Sequence, residues 1–139
     1  MSAPDDKPTG GYLRFALVVL ATAIGLGAVG WHAAARWGGL EIQAAVLAGI
    51  AASTFASLVG GVAVARAAAR PARERVTGML ASMALRFVAA LVAIGTVLAF
   101  GDFPAPPLLI GFAMGYLVLL APDGWYARRA LEGPSSRGG

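Results

Sequence analysis

The residue with the strongest claim to chemistry is Arg86, the one fully charged side chain inside an apolar stretch, Thr77–Phe100, long enough to cross a bilayer as a helix. A charge within such a stretch is costly unless its side chain snorkels to the interface or meets a partner. Arg86 lies nine residues past Thr77, or about 13 Å along a helix at ~1.5 Å per residue. That is short of the bilayer centre but well below the surface. Its long stem could reach back toward the headgroups, with Ser82 one turn earlier as a polar step. The alternative is pairing with a carboxylate of another membrane subunit.

The seven acids are Asp5, Asp6, Glu41, Glu74, Asp102, Asp123 and Glu132. Each is expected in a tail, a loop or at a helix mouth, which leaves no carboxylate inside the membrane to face Arg86. A proton-coupled carrier would then lack its central titratable group. His32, the only histidine, sits among interfacial aromatics and reads as a headgroup-facing polar residue, because a transition-metal site needs further nitrogen or sulfur ligands. Glu41 and Asp102 alone are weak evidence for a magnesium or calcium site. Without cysteine there is no disulfide, thiolate site or thiol nucleophile. No nucleophile has an evident base, and no phosphate-binding glycine loop follows a strand. The expectation is a non-enzymatic protein with no metal and no cofactor.

The elements that must position these residues are transmembrane helices. Of 139 residues, 58% are hydrophobic and 13% charged, and the mean hydropathy of +0.74 lies outside the range of a soluble domain. Charges cluster at the tails and one central loop, leaving four apolar blocks near the ~20 residues that span the hydrocarbon. The reading is an all-α membrane protein with four transmembrane helices arranged as two antiparallel hairpins. The spans are expected at about 13–32, 42–65, 77–100 and 104–121, within a membrane domain over 12–130 and between polar, disordered tails at 1–11 and 131–139. The amino-terminal tail mixes Asp5 and Asp6 with Lys7, and the run after it is too long for a signal-peptide core. Trp31, Trp37 and Trp125 mark interfaces. Pro106 and Pro107 suit the first turn of the fourth helix, and Pro122-Asp123-Gly124 is expected to end it.

Two small-residue patterns point to close helix contacts. In the second span Gly49, Ser53, Ser57, Gly61 and Ala65 recur every fourth position beside a second row, Ala48, Ala52, Ala56 and Gly60. The fourth span holds Gly111 and Gly115 in a GxxxG spacing. Small side chains let backbones approach closely where lipid removes the hydrophobic drive for association. The partner surface is either another helix of this chain or another subunit, including a second copy of it. Arg86, Ser82, Gly49, Ser53, Ser57, Gly61, Gly111 and Gly115 are therefore the candidate partner-binding residues.

Orientation follows from the basic residues. Lys7 and Arg14, Arg66, Arg70, Arg73 and Arg75, and Arg128, Arg129 and Arg137 fall on one side; Arg36 alone falls on the other. The positive-inside rule then makes both termini and the central loop cytoplasmic. This one-sided charge speaks for membrane orientation and against nucleic-acid binding, since no separate basic domain exists.

With its hairpin topology, small-residue second span, arginine loop, the stretch SMALRFVAALVAI and the closing LLAP, the chain resembles the ATP synthase I chain family. These are small four-helix membrane proteins associated with bacterial F-type ATP synthases. In their third span a Gly-Glu pair often precedes a basic residue that corresponds to Arg86. Here Ser82-Met83 stands in place of Gly-Glu, so the family's membrane acid is missing. The resemblance implies a multi-pass protein of the bacterial cytoplasmic membrane that helps assemble or stabilise the rotor ring of c subunits. The mid-membrane carboxylate of a c subunit would then be a fitting partner for Arg86. A small transporter or channel, for magnesium or calcium or for lipid-linked sugars, is the alternative.

Overall fold

The computed structural model describes residues 9–132 and contains four helices: α1 (Thr9–Ala35), α2 (Leu40–Ala68), α3 (Ala72–Phe100) and α4 (Ala105–Glu132). All four are long and apolar enough to cross a membrane. The chain is an all-α four-helix membrane protein, an architecture that lets every backbone group in the hydrocarbon find its partner within its own helix. With 27 to 29 residues each, the helices run about 41–44 Å and exceed the ~30 Å hydrocarbon thickness, so their ends extend into the headgroup layers. Of the tail expected over 1–11, residues 9–11 open α1. Of that expected over 131–139, Leu131 and Glu132 close α4. The remaining tail positions lie outside the described residues.

The links are short. Arg36–Gly39, Ala69–Pro71 and Gly101–Pro104 connect successive helices, so the chain runs up and down. Cross-helix contacts give the same order: Gly30 meets Val46 and Ile50 while Phe15 meets Gly61, which makes α1 and α2 antiparallel. Gly78 meets Ala67 and Gly60 meets Arg86, so α2 and α3 are antiparallel too, whereas Gly111 on Val46 and Gly115 on Ser53 make α2 and α4 parallel.

α2 is the centre of the bundle. More than half of its apolar window, 56%, is buried, against 11%, 17% and 22% for α1, α3 and α4. It packs on all three other helices, while α3 and α4 touch each other little despite being neighbours in sequence. The small-residue stripe explains the placement. A β-carbon added at Gly49 would collide with the Leu108 carbonyl oxygen, and one at Gly111 with the Val46 carbonyl oxygen. Gly49 and Gly111 thus bring α2 and α4 into backbone contact, the close approach that small residues permit. Beside this seam lies one core cluster, Ala45, Ile94 and Leu108; toward the arginine-rich end lies another, Phe15, Val19 and Leu119.

The fourth helix departs from expectation. It does not stop near Ala121 but runs through Pro122 to Glu132. Proline lacks an amide hydrogen and its ring crowds the carbonyl four residues back, yet membrane bundles tolerate it when neighbouring groups hold the helix. Here Tyr126, one turn on, stacks on Phe15 at 4.5 Å between ring centroids. Asp123, the next residue after the proline, is held by two other helices.

Candidate functional site

Asp123 is the residue on which the site turns. The expected Pro-Asp-Gly stop would have put it in a loop; the continued helix turns it into the bundle. Its Oδ2 forms an ion pair with Nη1 of Arg86 on α3, and its Oδ1 accepts a 2.6 Å hydrogen bond from the Ser57 hydroxyl on α2. The two charged side chains are 11% and 13% exposed, so the pair lies almost wholly within protein. The expectation that no carboxylate of this chain reaches Arg86 is thereby corrected. The cause is the helix continuing past Pro122, which the tripeptide's turn signal concealed.

Each helix makes room for the pair in its own way. At Gly60 a β-carbon would come within 3.1–3.2 Å of the Arg86 stem, so the glycine lets that stem lie flat on α2. The guanidinium carbon stands 4.7 Å from the centroid of the Tyr116 ring on α4, a cation–π contact. Nε and Nη2 of Arg86 are buried without hydrogen-bond partners. A cavity of about 280 Å³ adjoins the cluster, bounded by Met79 and Met83 on one side and Tyr116 and Leu120 on the other. In charge terms the cluster is neutral. In a low-dielectric surrounding, parting the pair would expose two uncompensated charges, so each partner holds the other in place.

The other sequence candidates fall into two groups. Ser57 belongs to the cluster. Gly49, Ser53, Gly61, Gly111 and Gly115 face other helices of the same chain: Gly61 receives the Phe15 ring, and Gly115 receives the Ser53 hydroxyl. Their surfaces are occupied within the bundle, so the reading of these residues as contacts for another subunit gives way to intramolecular packing. Ser82 is buried, but its hydroxyl donates to the Met79 carbonyl at 2.7 Å and is not among the partners of Arg86. His32 lies exposed near the opposite end, with Nδ1 2.9 Å from the Ala28 carbonyl oxygen. Among the described residues no three of His, Asp and Glu converge as metal ligands would.

Sequence reasoning missed Asp123 and Tyr116. A signal for the first was present: the buried positions Leu108, Gly111, Gly115 and Leu119 recur at helical spacing, and one further turn leads to 122–123. Extending that face past the proline would have placed a carboxylate on the inner side of the bundle. No protein-family model, curated protein or solved structure matches the chain.

Proposed function

We propose that this chain is a non-enzymatic integral membrane accessory protein of the bacterial cytoplasmic membrane, with both termini cytoplasmic, that assists assembly or stability of the F-type ATP synthase rotor ring. The observation that supports the non-carrier part is the Arg86–Asp123–Ser57 cluster, in which the carboxylate is already paired. An ion pair braced by a third helix is suited to fixing a bundle, whereas a proton carrier needs a carboxylate free to bind and release its proton. The link to the rotor ring rests on the resemblance to the ATP synthase I chain family.

The cluster changes how a rotor subunit would be met. Arg86 is engaged within the chain and the small-residue seam is filled, so contact falls to the outer faces. One such face is on α3, where Leu80, Phe87 and Leu91 are all exposed. Affinity purification after mild detergent extraction, scored for c subunits, tests the reading. Enrichment of c subunits, with fewer assembled rings in cells lacking the protein, is the expected result. Rings that assemble normally without it, and no c subunit captured beyond an unrelated four-helix control, would refute it.

A transporter or channel is the second reading, favoured by the cavity beside Arg86 and Asp123. Magnesium or calcium flux into proteoliposomes, lost in Asp123→Asn, would establish it for those ions; loss of a glycan on gene deletion would point to lipid-linked sugars.

A further inference from the structure

At the arginine-rich end, on the outer surface where α2 meets α3, lies a groove of about 360 Å³. Its mouth carries Arg66, on the last turn of α2, and Arg70, in the link that follows. Apart from Ser82, whose hydroxyl is turned to the Met79 carbonyl of its own helix, its interior is apolar: Ala67 and Gly78 lie close together, and Val59, Val62 and Leu85 line the part within the spans. The close approach is built in, since a β-carbon at Gly78 would fall 2.8 Å from the Ala67 β-carbon.

Both mouth arginines are exposed, and among the described residues neither has a carboxylate partner; the ion pairs there are Arg86–Asp123 and Arg128–Glu132. Arg75 is turned to the backbone of the link instead, its Nε donating to the Arg70 carbonyl at 3.2 Å. Two cations thus stand at headgroup level above an apolar channel. We propose that this groove is a binding site for an acidic glycerophospholipid, with Arg66 and Arg70 on the headgroup phosphate and one acyl chain along Val59, Val62 and Leu85.

Charge and polarity select this occupant. A soluble anion would satisfy the arginines and leave the apolar walls without a partner. A zwitterionic lipid would bring its own cation against two guanidinium groups, whereas an acidic lipid meets them with net negative charge. Basic pockets between helices at the membrane surface bind such headgroups on this principle.

The test uses the full chain purified in mild detergent, mixed with equal amounts of phosphatidylglycerol and phosphatidylcholine and read by native mass spectrometry. Wild type is expected to retain phosphatidylglycerol preferentially. Arg66→Gln with Arg70→Gln should lower that retention about tenfold or more, on the scale of two lost arginine contacts. Arg128→Gln with Arg129→Gln removes the same charge from the same end, away from the groove, and should change retention less than about twofold. Ala81→Leu narrows the groove from an exposed position with its arginines intact, and should also lower retention. Equal binding of the two lipids, equal losses in the two double variants, or unchanged retention in Ala81→Leu would each overturn the proposal.

Discussion

The seam between α2 and α4 is built differently at its two ends. Around Gly49 and Gly111 the helices meet backbone to backbone, the nearest atoms to each glycine being main-chain atoms of the facing helix. Nearer the arginine-rich end, Ser57 and Asp123 meet through a hydrogen bond that also ties in Arg86 from α3. The first contact brings the helices close. It does little to fix their register, because a row of small residues every fourth position offers similar surfaces one turn away. The second contact exists at a single register, since one carboxylate must reach one hydroxyl and one guanidinium. Division of labour follows: the glycine end sets distance and the ionic end sets alignment, a use of buried polar groups well attested in helix assemblies.

The sharpest way to break this contrast is at the ionic end. Asp123→Ala leaves Arg86 buried without its counter-charge and should cost about 3–5 kcal/mol. Thermal unfolding in detergent, or refolding from denaturing detergent, would read the loss. Replacing both charges by leucine, Arg86→Leu with Asp123→Leu, should recover most of it, because the penalty belongs to the unpaired charge. If the double variant is as unstable as the single one, the pair contributes net binding energy and its role is not alignment alone.

Ser57→Ala probes the third member. The hydroxyl donates to an ionised acceptor, a class of hydrogen bond worth roughly 1.5–3 kcal/mol, so this variant should fall below wild type but above Asp123→Ala. A loss as large as that of Asp123→Ala would mean that the serine, and not the arginine, is what holds the carboxylate inside.

How much of this contrast could be read in the sequence differs between the two ends. The glycine end was legible as a seam because its signal is local and periodic: Gly49, Ser53 and Ser57 stand at fixed spacing on one helix, and Gly111 and Gly115 do on another. What the pattern does not encode is its partner, since a small-residue face fits a sister helix and a foreign one equally well. The ionic end was half legible. Arg86 stood out by depth alone, but Asp123 is 37 positions further along, and whether it faces inward depends on a helix surviving a proline. Local rules favour a break at Pro122; packing of Tyr126 on Phe15 and the ties on Asp123 hold the helix across it. The presence of four membrane-crossing helices was legible, because bilayer thickness and hydropathy constrain them strongly, but the end of α4 beyond Pro122 was not.

At the glycine end, Gly49→Ala adds a methyl group against the backbone of α4, which has no rotamer to yield. Overpacking of this kind should cost about 1–3 kcal/mol. Gly115→Ala meets chiefly the Ser53 hydroxyl, which can turn away at the loss of its 2.8 Å bond to the Ile50 carbonyl. Its cost should be the smaller of the two, and the reverse order in unfolding measurements would count against backbone contact at Gly49.

The finest test uses a glycine outside the seam. Gly95 lies within α3 with nothing inside 4 Å of an added β-carbon. Its replacement by alanine therefore changes helix propensity and little else. In a helix interior that exchange should stabilise by roughly 0.5–1 kcal/mol, since glycine loses more backbone freedom on ordering than alanine does. Gly49→Ala gains the same propensity term, so its net loss understates the steric penalty by that amount. Subtracting the Gly95→Ala effect from the Gly49→Ala effect isolates the cost of prising α2 from α4. A difference near zero would show that the helices separate freely at Gly49, leaving the Arg86–Asp123–Ser57 cluster to set both distance and alignment.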